Sequence, residues 1–157
     1  MAQQNITIGT ADAKAGEPLF SAFTKTQANF TELYADNLSS TITVNQSNVA
    51  STLGGVIDST KVYLIDGIID MTGVTVTVPS GGLSLVGVSF DVSKLICNDI
   101  NYTMFVSPVG GSGNILGKDY AIEVTGNNSS VYSLTSATGF DAFEFARINY
   151  NNCTSLG

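Results

Sequence analysis

The sequence predicts a mainly β protein, in which one short amphipathic helix near the N-terminus precedes a body of β-solenoid strands, like those of a right-handed parallel β-helix. Apolar residues recur at helical spacing between residues 19 and 34. From residue 62 onwards, short runs of β-branched and aromatic residues alternate with corners of Gly, Pro, Asn, Asp and Ser, as in strands. Charged residues make up only 12% of the 157 residues, against roughly 25% in ordinary soluble domains, so part of the surface is expected to be covered.

The N-terminal module is predicted to span residues 1–40. Residues 5–8 alternate like a strand, and the helix is predicted to start near Pro18. Proline fits the first helical turn, where its missing N–H would have no partner, and Glu17 suits the positive end of the helix dipole. The polar run at residues 35–40 is predicted to end the helix.

One face of the predicted helix is apolar. A helix of about 17 residues is marginal alone in water, so this face needs a partner surface. That partner is the β body of the same chain, sister copies, or another protein. With Thr26 as the one polar member of the stripe, the residues predicted to form the interface are Leu19, Phe20, Phe23, Phe30, Leu33 and Tyr34.

Residues 41–61 are rich in Ser and Thr and are predicted to form a linker or a loosely paired strand. Residues 62–157 are predicted to form the β-rich body. Tight corners between short strands favour a β-solenoid, whereas an antiparallel sandwich would show longer strands and more hairpin dipeptides than Asp66-Gly67. No strict numerical repeat is present. The predicted strands are residues 62–65, 68–71, 74–78, 83–86, 88–92, 103–106, 120–124, 131–134 and 143–150.

Charge and composition exclude several classes of function. The net charge is −7, and the 6 basic residues are scattered singly, so we expect neither nucleic-acid binding nor attachment to an anionic membrane. No signal peptide or bilayer-spanning run is visible, which indicates assembly in a cytoplasm. With no histidine and two distant cysteines, Cys97 and Cys153, a zinc site is not expected. Free thiols are the first interpretation and a disulfide the second.

Carboxylates are the only catalytic material present in quantity. Most lie beside Gly or at strand ends, where turn capping explains them, so we expect no enzyme activity and no cofactor. Serine chemistry lacks its histidine, and residues 110–113 read as a flexible turn. Exposed tyrosines could stack on carbohydrate, and Tyr102, Tyr120, Tyr132 and Tyr150 are the candidates. Core or interface packing is the favoured role for each. The acids considered as a glycan-cleaving pair are Asp66, Asp70, Asp91, Asp99, Asp119, Glu123, Asp141 and Glu144.

The N-terminal segment carries Gly, Pro, aromatic and acidic residues at set offsets. Its members are Ile-Gly-Thr at residues 8–10, Gly-Glu-Pro-Leu at 16–19, Ala-Phe at 22–23, Lys25, Asn-Phe at 29–30 and Glu-Leu-Tyr at 32–34. This pattern resembles the N-terminal module of tailed-bacteriophage tail fibres, tailspikes and related virion structural proteins. It departs from the family at residues 11–15, where a Gly-rich turn is common, and at Phe20, where a basic residue is frequent.

The resemblance implies a homotrimeric appendage, assembled in the host cytoplasm and located in the virion. The N-terminal module would anchor it to tail or portal-proximal proteins, or to the capsid, and the β body would support recognition of the host surface, whose glycans are a further expected partner. One alternative is a capsid-decorating or head-fibre protein. Another is a glycan-degrading tailspike, for which the chain would be part of a longer form.

Overall fold

Short parallel strands and the turns between them follow one long helix in the computed structural model, which describes residues 19–157. The side chains of residues 19, 20 and 33–39 lie outside this description. The predicted strand at residues 5–8 and the predicted helix start at Pro18 also fall outside it. The chain divides into two compact units, with the boundary between Ser40 and Thr41.

Helix α1 covers Leu19–Ser39, 21 residues, in the first unit. It continues through residues 35–38, which the sequence assigned to its end. Ala35 and Leu38 are good helix formers, and the helix ends only at the two serines, Ser39 and Ser40. Its threonines do not break it, because the Thr26 hydroxyl donates to the Ala22 carbonyl at 2.9 Å and so stays satisfied within the helix.

The second unit contains one short helix, α2 (Val49–Thr52), and ten strands. The strands are β1 (Thr41–Val44), β2 (Val62–Ile65), β3 (Ile68–Asp70), β4 (Val76–Thr77), β5 (Leu83–Gly87), β6 (Lys94–Cys97), β7 (Thr103–Val106), β8 (Ile115–Val124), β9 (Ser130–Ser133) and β10 (Phe143–Tyr150). The protein is therefore mainly β with few helices, as predicted.

Every pairing between these strands is parallel. A 7-stranded sheet has the order β1-β2-β5-β8-β6-β3, with β10 also paired to β8, and a 3-stranded sheet has the order β4-β7-β9. Parallel neighbours cannot be joined by a hairpin, since each strand must return to the same end before pairing. The described strands therefore do not form the antiparallel sandwich that the sequence left open.

The segment from residue 41 to 61, predicted to be a linker or a loosely paired strand, belongs to the second unit. Strand β1 pairs with β2 in register, from Thr41 opposite Val62 to Val44 opposite Ile65. Val44, Val49 and Leu53 are buried. The many Ser and Thr residues of this segment led to its assignment by composition. The spacing of four residues from Val49 to Leu53 is nevertheless typical of a helix.

Alternate residues of strands β2, β5 and β6 contribute to the core. In β2 and β5 the buried positions are Tyr63, Ile65, Leu83 and Leu85, separated by half-buried ones. Since successive side chains of a strand point to opposite faces, the parallel register stacks these residues in columns across neighbouring strands. Each fully buried Leu or Ile side chain contributes about 1.5–3 kcal/mol relative to exposure.

Residues 88–92, predicted to be a strand from their alternating pattern, form a turn. The Ser89 carbonyl accepts from the Ser93 N–H at 2.8 Å. The Ser93 side chain, fully buried, accepts from the Val88 N–H at 2.9 Å and donates to the Ile65 carbonyl at 2.8 Å. These bonds reverse the chain, so Val88, Phe90 and Val92 are left exposed. The strand prediction was wrong here because the buried Ser93, just after the segment, forms hydrogen bonds that stabilise a turn.

Candidate functional site

Helix α1 carries an exposed apolar stripe. Phe23 and Phe30 lie seven residues apart, about two helical turns, and are 65% and 57% exposed. Burying one such side chain contributes about 1.5–3 kcal/mol, so two rings on one side of a helix are a surface that gains free energy when covered. The alignment follows from the sequence spacing of three and four residues through Thr26.

The surface between the two rings is an open hollow that the helix itself lines. Thr26, Gln27 and Thr31 form its floor and sides together with the rings. The Thr31 hydroxyl donates to the Gln27 carbonyl at 2.9 Å, as the Thr26 hydroxyl does to Ala22. Since these hydroxyl protons are used within the helix, the hollow presents mainly its apolar parts. This arrangement suits packing against an apolar protein surface.

The other four predicted interface residues are only partly placed. Leu19, Phe20, Leu33 and Tyr34 belong to α1, but their side chains lie outside the described part of the structure. Of the predicted stripe, the described residues therefore include Phe23 and Phe30, with Thr26 between them.

Two of the predicted acids share one cleft, and the eight together are spread over several strands and turns. Asp70 and Glu123 line a shallow cleft of about 270 Å³ with Ile96 and Cys97, on neighbouring strands β3, β6 and β8. The Asp70 carboxylate accepts from the N–H and the hydroxyl of Thr72 at 2.9 and 2.7 Å. It thus caps the corner after β3, the role that composition favours for an Asp in a turn.

Other acids have similar structural roles at corners. Asp99 accepts from the Gly73 N–H at 2.9 Å. Asp141 accepts from the Thr138 N–H at 2.9 Å and from the Ser136 hydroxyl at 2.7 Å, and these bonds lower the pKa of its carboxyl. Asp66, Asp91 and Glu144 are exposed.

Asp119 forms an ion pair at the bend of β8. The Arg147 guanidinium donates through Nη2 to Asp119 Oδ2 at 2.7 Å, and its Nε contacts Oδ1. The hydrogen bond to Arg147 lowers the pKa of the Asp119 carboxyl. A general acid for glycoside cleavage needs the opposite shift.

The four tyrosines considered for carbohydrate stacking pack inside the second unit. Tyr102 is 8% exposed and Tyr120 is fully buried, so neither ring can meet a sugar face. Tyr132 is in an aromatic cluster with Phe105, Phe143, Phe145 and Tyr150, and its hydroxyl lies 2.9 Å from that of Tyr150. Tyr102 and Tyr120 therefore belong to the core, and the half-buried Tyr132 and Tyr150 pack against it, in line with the favoured prediction.

Both cysteines are free thiols, as first interpreted. Burial raises the pKa of Cys97 and of Cys153. Among the described residues, no group of three or more His, Cys, Asp or Glu could hold a metal ion. No helix in the described range 19–157 has the length and apolarity needed to cross a membrane.

The sequence reasoning missed a second apolar surface, on the outside of the body. This surface, the outer face, is the solvent side of β2, β5, β8 and β10. It contains an open groove of about 540 Å³. Its signal was present: β2 reads Val-Tyr-Leu-Ile without a polar position, and a strand that is apolar on both faces is usually covered on both.

Comparison of the chain with protein-family models, curated proteins and solved structures finds no match in any of the three. Function is therefore inferred from the geometry of this chain and from the N-terminal motif.

Proposed function

We propose that this chain is a bacteriophage virion structural protein, the N-terminal attachment part of a tail fibre or tailspike. It works as a homotrimer, anchors the appendage to the particle and supports recognition of the host surface. The observation that carries the proposal is the exposed pair Phe23 and Phe30 on α1, within the segment whose motif resembles the attachment module of such proteins.

The architecture of α1 supports an assembly role. It belongs to a compact unit separate from the β body, and two large rings on one side remain exposed within the described chain. Parallel or antiparallel helices cover such stripes when chains associate. A tail or portal-proximal virion protein is the further partner of this module, through the same or adjoining residues.

The arrangement of the body supports a β-solenoid. Hydrogen bonds repeatedly join residues 28 apart, as in Thr75 to Thr103, Ser107 to Thr135 and Asn114 to Ala142. Asn128 donates to the Asn101 side chain 27 residues before it at 2.7 Å. Parallel strands that return at a nearly constant spacing stack as successive coils. Such a rod is a suitable shaft for an adhesion appendage.

The assembly role is tested with Phe23→Asp and Phe30→Asp in the full chain. A buried charge opposes association, so each variant is expected to shift trimer to monomer at micromolar concentration in light scattering. Ala28→Asp is the matched control, because residue 28 lies on another side of the helix from Phe23. Circular dichroism should show the β body unchanged. A trimer that both variants retain would remove the role assigned to the stripe.

The virion role is tested by electron microscopy of particles labelled with an antibody to this chain. Label at the tail is expected. Label on the capsid would instead favour a head-fibre or decoration protein attached through the same helix. Particles without label would overturn the proposal.

A further inference from the structure

We propose that residues 45–53 form a cap that blocks head-to-tail stacking of the β bodies, in which one end of a body would add to the exposed edge of β10 in another copy. The two faces involved are named the β1 end, formed by residues 41–57, and the β10 end, formed by residues 143–157. Both belong to the second unit. The inference goes beyond the proposed function and does not depend on the trimer.

The β10 end is open. Among the described strands, β8 is the one partner of β10, so the other edge of this 8-residue strand has no strand beside it. The Phe143 and Phe145 rings contact Tyr132 but remain 50% and 37% exposed. An edge strand that carries apolar side chains is a template for pairing with a further strand.

The β1 end is closed by a side chain at the edge of β3. Among the described strands, β3 pairs with β6 alone. On its other edge, Gln46 Nε2 donates to the Asp70 carbonyl at 3.1 Å, and the Asp70 N–H donates to Gln46 Oε1 at 2.6 Å. A primary amide carries both donors and an acceptor, so it satisfies the two backbone groups that a neighbouring strand would bind.

Helix α2 covers the core at the same end. Its Val49 and the following Leu53 are buried in the hydrophobic core, whereas Ala50 and Ser51 are exposed. The backbone N–H groups of Val49, Thr52 and Leu53 bind carbonyls within the segment itself. The helix therefore offers no row of unpaired groups to which a strand could add.

The turn that carries Gln46 is held by Asn48. Asn48 Oδ1 accepts from the Asn45 N–H at 2.9 Å, and its Nδ2 donates to the Thr43 carbonyl at 2.9 Å. These bonds join the turn to the end of β1, since Thr43 belongs to that strand. They fix the direction in which the chain leaves β1 and thereby keep the Gln46 side chain beside β3.

A second copy of this chain is the occupant that fits the β10 end. Inside one body, strands already stack in parallel from β1 through β2, β5 and β8 to β10, so the β1 end of another copy has the direction that the β10 edge accepts. Residues 41–57 contain no charged residue, and β10 carries one acid, Glu144, and one base, Arg147. No repulsion between like charges therefore opposes the contact.

Such a contact would not close on itself. Each added copy presents a new β10 end, and a head-to-tail contact that does not close builds an open filament. The cap at residues 45–53 prevents this outcome, because Gln46 and α2 occupy the positions that the strands of another copy would need. One closed end and one open end therefore keep the bodies from stacking in series.

The first test is Gln46→Ala in the full chain. The loss of both hydrogen bonds is expected to speed exchange of the Asp70 amide hydrogen about tenfold, as measured by nuclear magnetic resonance. The mean mass in light scattering should then rise with concentration without a plateau, as for an open filament. The wild-type mass should reach a plateau over the same range.

Gln46→Glu is the matched control. This change keeps an oxygen that accepts from the Asp70 N–H and adds a charge, which a stacked contact would have to bury. Its mass should therefore reach the wild-type plateau. Asn48→Ala is a second variant of the cap, which loosens the turn and leaves Gln46 in place. It is expected to grow as Gln46→Ala does.

A second test locates the other side of the contact. Phe143→Lys, combined with Gln46→Ala, puts a charge on the β10 end and is expected to restore the wild-type plateau. Val109→Lys in the same background is the control, because the fully exposed Val109 lies in the loop between β7 and β8, outside both ends. Growth should continue with this control.

The outcomes separate this inference from the proposed function. Gln46→Ala and Asn48→Ala proteins that keep both the circular dichroism and the mass plateau of wild type would overturn the cap. Growth that Phe143→Lys does not stop would overturn the β10 end as the partner surface. A wild type that grows without a plateau would overturn the block. The proposed trimer fails separately, through a monomeric wild type, and growth of the Gln46→Ala protein is expected in either case.

Discussion

At the scale of single residues, the bend of the long strands depends on two non-glycine residues with left-handed backbones. Asp119 and Arg147 have φ values of 61° and 57°, which few residues adopt without cost. They are consecutive in the stack, and their side chains form the ion pair at the bend. The ion pair between Asp119 and Arg147 on neighbouring strands offsets part of the cost of the two left-handed backbone conformations.

The ion pair makes stability depend on pH at this bend. The folded pKa of Asp119 is below the ordinary 3.8, so its contribution is present above that value and is lost as the pH falls through the lowered folded pKa. Asp119→Asn keeps a residue type that tolerates a positive φ but removes the charge. We expect a lower Tm than wild type at pH 7 and a smaller difference near pH 2, in thermal scans at constant protein concentration.

The control for this prediction is Asp91→Asn, which removes an exposed carboxyl from the turn at residues 88–92. It should not alter the Tm at either pH. An Asp119→Asn protein with the same Tm as wild type at pH 7 would contradict the role given to the ion pair.

Two buried tyrosines provide a matched pair with opposite expected effects. The Tyr120 hydroxyl, buried in the core, has no hydrogen-bond partner among the described atoms, whereas the Tyr63 hydroxyl accepts from the Asp58 N–H at 2.8 Å. Tyr120→Phe is expected to raise the free energy of unfolding by about 1 kcal/mol, and Tyr63→Phe to lower it by about 1 kcal/mol. Urea unfolding monitored by circular dichroism measures both, and a destabilised Tyr120→Phe would show that the hydroxyl is satisfied.

At the scale of elements, the sequence located many of the strands from apolar runs bounded by turn residues, although residues 88–92 were assigned wrongly. The bounds of β2, β7 and β10 were predicted residue for residue, because each is a run of β-forming side chains between clear corners. Strand β6 was missed, since Lys94 and Cys97 leave it only two strongly β-type residues. The first part of β8 was missed because Gly117 interrupts it.

Contacts from distant residues decided the elements that the sequence could not locate. A Cβ atom on residue 117 would lie 2.8 Å from the Tyr120 hydroxyl and 2.7 Å from the Phe145 ring. Glycine is therefore needed at this position of β8 because the neighbouring side chains leave no room for a larger residue. The turn at residues 88–92 likewise depends on the buried Ser93. The helical periodicity of the sequence predicted the apolar stripe of α1. The outer face was not predicted, because it depends on the register between strands, which cannot be derived from a single sequence.

The corrected assignment of residues 88–92 has a measurable consequence. Val88→Ser is expected to change the free energy of unfolding by less than about 0.5 kcal/mol, as for exposed positions. Leu95→Ala, in the buried column of β6, is expected to lower it by about 2–5 kcal/mol. Denaturant titration of the two variants compares them, and a large loss for Val88→Ser would restore the strand interpretation.

At the scale of the whole molecule, sparse charge and two apolar surfaces indicate a protein that is covered in its working state. One surface is on α1 and the other is the outer face of the body, and they belong to different compact units. A chain with both is expected to associate through each of its two units. This expectation agrees with the proposed trimer.

The most direct test of this account is native mass spectrometry of the unmodified full chain at micromolar concentration. The account predicts a species of three times the 16.4 kDa of one chain. A monomer at that concentration would contradict it, because both apolar surfaces would then remain in water.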